Sequence, residues 1–235
     1  MRADAAPWLI VPAAGRGTRM GSDRPKQYLP LGERSVMTQT LSRLHSVWPE
    51  ATLMLCLDPD DEWFEDTMVP FSHWQRVDGG EARWQSVLAA LHAMAGQADE
   101  EDWVLVHDVA RPCVTASDLK HLLAALRRDR VGGLLASPVT DTLKRQDDGQ
   151  RVATTPSRDG LWRAMTPQGF RFGVLRRALE HARDGGVAVT DEASAIEALG
   201  LAPLLVTGRS DNIKITHPED LRFAAMILES QREPT

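Results

Sequence analysis

The chain has 235 residues, 43% of them hydrophobic, and 27 Lys plus Arg against 33 Asp plus Glu give a formal net charge of -6. That length buries the core of one α/β domain more readily than two full domains, and the acidic balance excludes a broad nucleic-acid-binding face while leaving room for a local basic site. Cys56 and Cys113 lack zinc spacing and read as reduced, and no stretch approaches the ~20 apolar residues of a membrane span or the apolar run of a signal sequence, so a cytoplasmic protein without membrane partners is expected.

In chain order, WLIV (8–11) reads as a first buried strand, followed by the loop PAAGRGTRMGSDRPK. Glycines in such a turn let backbone N–H groups approach phosphate oxygens. The spacing excludes two familiar versions of the motif. A P-loop needs Gly-Lys-Ser/Thr; a dinucleotide fingerprint needs a third glycine where Met20 stands and an acid earlier than Asp58. Charge replaces those features, because Arg16, Arg19, Arg24 and Lys26 face one anion, Asp23. A solvated basic surface is one reading. A polyphosphate cradle at the carboxyl end of a strand is the other.

Next, the segment 35–48 places Met37, Leu41, Leu44 and Trp48 on one helical face, TLMLCL (52–57) is a strand, and 86–94 is a helix packing Val87, Leu88, Leu91 and Met94. WVLVH (103–107) is a buried strand whose end presents Asp108, with Arg111 and Pro112 beyond. Asp108 suits a Mg²⁺ ion shared with phosphates, or an ion pair with Arg111 that shapes the loop. His107 points to the other side of the strand and reads as a packed or hydrogen-bonded histidine. Thr115 with Asp118 starts a helix, and 132–139 is another strand. Between 140 and 155, two strand-like pieces flank Asp148-Gly149, a dipeptide suited to the positive φ angles of a hairpin turn. An isolated hairpin is marginal, so its own core or a second subunit must support it. Thr190, with Asp191 and Glu192 after it, reads as a helix cap, with metal binding by the acidic pair as the lesser alternative. Thr216 with Glu219 starts the last helix. This alternation predicts an α/β fold with a mostly parallel sheet.

The ordered blocks PAAGRGTRM with PKQY, GGEARWQSV, VHDVARP, DTLKR, GLWRAMTPQGF, TDEASA and DNIKIT resemble the 2-C-methyl-D-erythritol 4-phosphate cytidylyltransferases of the non-mevalonate isoprenoid pathway, from about residue 9 to residue 228. The resemblance implies a Rossmann-like nucleotidyltransferase fold with a mostly parallel twisted sheet and a protruding β-arm, one domain over 1–235 with the dimerisation arm at about 140–158. It implies a Mg²⁺-dependent reaction, with Mn²⁺ as a possible substitute, of CTP with methylerythritol phosphate that releases pyrophosphate. It also implies a homodimer whose arms complete each other's sites.

By the same resemblance, Arg19 and Lys26 stabilise the transition state at the α-phosphorus, and Arg158 and Lys214 position the substrates. Asp108 is the metal-associated aspartate. Ala13, Ala14, Gly15 and Gly17 cradle the triphosphate, and Gly80, Arg83 and Ser86 belong to the cytidine block. Arg111 and Thr142 hold the acceptor, with Thr142 and Arg158 donated across the dimer. Glu81 departs from the aspartate that relatives often carry. A ribitol 5-phosphate cytidylyltransferase is the nearest rival, a non-catalytic nucleotide-binding module a more distant one. Independently of the resemblance, a phosphate monoester with a second pKa of about 6 is already mostly dianionic at neutral pH and needs no general base. This agrees with the lack of a catalytic His, Cys or Ser arrangement.

Overall fold

The computed structural model describes residues 6–15, 17 and 20–232. Along the chain these form β1 (Trp8–Pro12), β2 (Pro30–Leu31), β3 (Arg34–Ser35), α1 (Val36–Val47), β4 (Thr52–Leu57), β5 (Trp74–Asp78), α2 (Arg83–Ala93), β6 (Trp103–Val106), α3 (Ala116–Leu126) and β7 (Gly132–Pro138). The second half adds β8 (Arg145–Gln146), β9 (Val152–Thr154), β10 (Trp162–Arg171), α4 (Phe172–Asp184), α5 (Glu192–Ala198), β11 (Leu204–Thr207) and α6 (Pro218–Ser230). A seven-stranded sheet has the order β11-β7-β10-β6-β1-β4-β5. Every neighbouring pair in it is parallel except those of β10, which runs antiparallel to both β6 and β7.

Alternation along the central strands divides the core between the two faces of the sheet. Leu9, Val11, Leu53, Leu55 and Leu105 pack under Met37, Leu41 and Leu44 of α1 and Leu119, Leu122 and Leu126 of α3. On the other face, Ile10, Met54, Cys56, Val104 and Val106 meet Val87 and Leu91 of α2, Leu175 and Leu179 of α4, and Ile196 of α5. A smaller cluster of Met20, Leu31, Val36, Cys113, Ile215, Ala224 and Leu228 pins α6 beside the glycine-rich loop. Both cysteines are free and buried, and burial pushes each thiol up to about 12. No described helix is long and apolar enough to cross a membrane.

Three local expectations need correction. Asp191, not Thr190, caps α5, its carboxylate accepting the Ser194 amide at 2.9 Å. The last helix is capped at His217, and the acid that closes its first turn is Asp220, which accepts the Thr216 and His217 amides at 2.8 Å each. In the hairpin of β8 and β9 the positive φ falls on Gln150 (59°) instead of Asp148-Gly149, because the Asp147 carboxylate gathers the Gly149 and Arg151 amides at 2.9 Å each and sets the turn itself. That hairpin forms its own two-stranded sheet with exposed residues, apart from the large one.

Candidate active site

At the carboxyl edge of β1 the chain turns into the glycine-rich loop. The Gln27 side chain, 2% exposed, donates to the Ala13 carbonyl at 2.6 Å and fixes the start of the turn. Gly17 has φ 62°, and a Cβ there would lie 3.0 Å from Cγ of Lys26, so only glycine lets the backbone rest on the lysine stem. Lys26 follows in a short 3-10 turn, and its Nζ donates to the Ile215 carbonyl at 3.1 Å.

Facing this loop, Gly79 and Gly80 follow β5. A Cβ on Gly79 would stand 2.3 Å from that of Ala14, which explains the glycine pair as a close approach of two loops. Ser86 Oγ accepts the Gly80 amide at 3.0 Å, and the Gln85 side chain accepts the Ala82 amide at 2.8 Å, tying this loop to the first turn of α2. A cavity of about 170 Å³ opens between the loops, and Ala13, Ala14, Gly15, Lys26, Gly80, Arg83, Ser86, Asp108 and Lys214 all line it. A larger cavity of about 330 Å³ lies across the glycine-rich loop, but Asp58, Asp60, Asp61 and Glu62 line it and would repel a triphosphate. The smaller, cationic cavity has the chemistry for a nucleotide.

Asp108 stands at its centre, 6% exposed. Its Oδ1 accepts Nε of Arg83 at 2.8 Å, and its Oδ2 meets Nζ of Lys214 at 2.8 Å and Nε of Arg111 at 3.4 Å. Burial alone would raise its pKa, but Arg83, Lys214 and Arg111 outweigh burial and hold the carboxyl well below the usual carboxylate range. Arg83 is in turn clamped by Glu192, a residue 0% exposed, through bonds of 2.6 and 3.0 Å. Burial opposes the Arg83 charge, and the two carboxylates more than restore it. Arg111 also donates to the Asn212 carbonyl at 2.7 Å.

His107 braces this arrangement from behind. Its ring contacts the Arg111 carbonyl at 3.0 Å and the Thr166 hydroxyl at 3.1 Å, and the same hydroxyl accepts the Asp108 amide at 3.0 Å. Burial lowers its pKa to about 4, so the ring is neutral and serves as a brace.

The structure therefore gathers nine of the expected residues around one cavity, with Arg111 bound to Asp108 at its side. Arg19 lies outside the described residues. Thr142 and Arg158 are exposed near the hairpin, where Arg158 donates to the Thr140 carbonyl. No described contact joins either of them to Asp108 within this chain. Glu192 was missed as a site residue. Its spacing from Ala195 and Ile196, three and four positions on, carried the signal, since those positions share a helix face. As for a metal, no cluster of three or more His, Cys, Asp or Glu among the described residues could hold one unaided. Asp108 offers one carboxylate, which fits Mg²⁺ in the mode where substrate phosphates complete its oxygen shell.

A protein-family model for 2-C-methyl-D-erythritol 4-phosphate cytidylyltransferase matches residues 8–230. A curated protein of that name from Chromohalobacter salexigens is 59% identical over 221 residues, covering 94% of this chain and 89% of the relative. One from Hahella chejuensis is 52% identical, covering 94% and 92%. Among solved structures, the enzyme of that name from Francisella tularensis superposes with a TM-score of 0.81 at 32% identity over 95% of this chain and 100% of the other.

Proposed function

Because the chain belongs to the 2-C-methyl-D-erythritol 4-phosphate cytidylyltransferase family, we propose that it transfers the cytidylyl group of CTP to 2-C-methyl-D-erythritol 4-phosphate, giving 4-diphosphocytidyl-2-C-methyl-D-erythritol and pyrophosphate for isoprenoid precursor synthesis. The observation that carries this reading is the assembly of Lys26, Lys214, Arg83 and Arg111 around Asp108 beside a glycine-rich loop, in a protein whose overall charge is negative.

The acceptor brings its own nucleophile. An oxygen of its phosphate dianion forms a bond to the α-phosphorus of CTP, the bond from that phosphorus to the bridging oxygen breaks, and the electron pair leaves with pyrophosphate. No base is required, which is compatible with the neutral, braced His107. The work left to the protein is alignment and charge neutralisation. Backbone at Ala13, Ala14, Gly15 and Gly17 cradles the triphosphate, Gly80, Arg83 and Ser86 form the cytidine block, and Lys26 meets the charge developing on the α-phosphorus, with Arg19 joining it. Lys214 aligns donor and acceptor. Mg²⁺, held by Asp108 and substrate phosphates, would neutralise the triphosphate and the departing pyrophosphate.

Thr142 and Arg158 act on the acceptor in the partner subunit of a homodimer. Their exposed positions near a hairpin that stands apart from the main sheet support this role. Incubation of the protein with CTP, Mg²⁺ and either methylerythritol phosphate or ribitol 5-phosphate tests the reading. Pyrophosphate release is expected with the first acceptor; release with the second alone would replace it.

A further inference from the structure

The carboxyl edge of the sheet carries functional groups in spatial order. The cytidine block follows β5, the triphosphate loop follows β1, Asp108 follows β6, and beyond it come β10 and then β7. An acceptor attacking the α-phosphorus from the side opposite pyrophosphate must therefore lie over β6, β10 and β7. One cation in that quarter has no role so far. Arg163 pairs in register with Ser137 of β7, whose carboxyl end shares this edge.

The Arg163 side chain lies back across β7, donating Nε and Nη2 to Ser137 Oγ at 3.2 and 3.1 Å. Ser137 is buried and neutral. It aims the guanidinium without cancelling its charge, and it leaves the rest of the N–H fork for another acceptor. No described ion pair joins Arg163 to a carboxylate. Strand β10 runs antiparallel to β6 with Gln168 opposite Val106, so its first residues, Arg163 among them, run alongside the chain that leaves β6 for Arg111. The carboxylates of the site, Asp108 and Glu192, are already committed to Arg83, Arg111 and Lys214, and Asp191, which shares a cavity with Trp162 and Ala164, is taken by Gln168 and the cap of α5. A guanidinium at the rim could simply be solvated. A held guanidinium on the same sheet edge as Arg111, with the carboxylates of the site committed to other partners, is a surplus that a dianion answers and a neutral polyol does not.

We propose that Arg163, together with Arg111, binds the phosphate monoester of the acceptor and so sets how tightly this chain takes that substrate. The triphosphate is the less suitable occupant because its loop follows β1, and β6 stands between β1 and β10. The inference rests on the cytidylyl-transfer reading above.

Steady-state pyrophosphate release from CTP and methylerythritol phosphate tests it in wild type, Arg163→Ala, Arg163→Gln and Arg163→Lys. The KM for the acceptor should rise about tenfold or more in Arg163→Ala and Arg163→Gln, as for loss of a charge-assisted hydrogen bond. Arg163→Lys should recover part of the loss, and the KM for CTP should stay within about twofold, a split that general loosening of the fold would not produce. An unchanged acceptor KM, a parallel rise in the KM for CTP, or equal behaviour of the Gln and Lys variants would overturn the assignment. Should Arg163→Ala fail to fold, the comparison of Gln with Lys still decides. A wild-type protein that turns over no methylerythritol phosphate would overturn the reading beneath the proposal, and the proposal with it. Wild-type turnover with an unaltered KM in the variants sinks the arginine alone.

Discussion

His107 offers a direct test of how the site is braced. A carbonyl can only accept, so the ring donates from Nε2 to Arg111 at 3.0 Å, and Nδ1 is left to accept from the Thr166 hydroxyl at 3.1 Å. That hydroxyl already accepts the Asp108 amide at 3.0 Å. A proton on Nδ1 would aim a second donor at the same oxygen and bury a charge, and burial is the chief reason the pKa falls from 6.5 to about 4. A histidine that binds its proton less readily in the folded chain contributes its stability in full above about 6.5, the ordinary value. That contribution is lost as the pH falls from 6.5 towards 4, because the unfolded chain takes up a proton the folded chain refuses. At about 1.4 kcal/mol per pH unit, the loss across that window is about 3 kcal/mol. Urea unfolding of wild type and His107→Gln, compared from about pH 7.5 down to about pH 4, isolates it, since the other titrating groups contribute to both. The wild-type curve should descend towards that of the variant as the pH falls. Parallel curves would refute the brace as described.

Lys26→Ala should lower turnover at least ~100-fold, the usual cost of one preorganised transition-state donor, as measured by pyrophosphate release. If the hairpin completes the partner's site, mixing Lys26→Ala with Arg158→Ala subunits should restore part of the activity through hybrid dimers, and no rescue despite proven subunit exchange would argue for self-contained sites. Glu192→Ala leaves the Arg83 guanidinium without its bidentate partner, and should cost about 3–5 kcal/mol in denaturant unfolding; a loss below about 1 kcal/mol would mean that solvent or Asp108 compensates. Gly79→Ala drives a methyl to 2.3 Å from Ala14, so it should cost about 1–3 kcal/mol and raise the KM for CTP while sparing that of the acceptor. Equal effects on both substrates would show that the two loops do not report on the nucleotide alone.

Much of this architecture was legible because it rests on local patterning. TLMLCL forms β4 from Thr52 to Leu57 as its apolar run suggests, and Ser35 caps α1 so that Met37, Leu41 and Leu44 face the sheet. Thr115 caps α3 as expected, accepting the Asp118 amide at 3.1 Å. Strand β10 was harder to read. Pro167 in its middle removes a ladder donor, and the strand accommodates this with a register shift between Ala164 and Gln168. In the site, the proposed Asp108–Arg111 pair is present at 3.4 Å, yet it is the longest of the three ion pairs on Asp108. The shorter ones come from Arg83 and Lys214, far away in sequence and brought near only by the sheet order. Local spacing has no access to such partners.

The Asp108 network also accounts for how so much positive charge sits together before any phosphate arrives. Several cations at one sheet edge repel one another, and the repulsion grows where water is excluded. Asp108 and Glu192 offset it from within, which is why both carboxylates are buried in a site meant for anions. The three cations on Asp108 are not equivalent. Arg83 is also clamped by Glu192, and Arg111 is 12% exposed and bound to the Asn212 carbonyl, whereas Lys214 is 39% exposed on a flexible stem. An incoming α-phosphate therefore draws Lys214 most easily. When Lys214 turns to the phosphate, Asp108 Oδ2 keeps only its longer contact with Arg111 at 3.4 Å, and would be the protein oxygen best placed to help hold a divalent ion. The carboxylate that spaces the cations is thus the same group that would hold a metal, so the ion-pair reading of Asp108, seen in its three pairs, does not exclude the metal-ligand one.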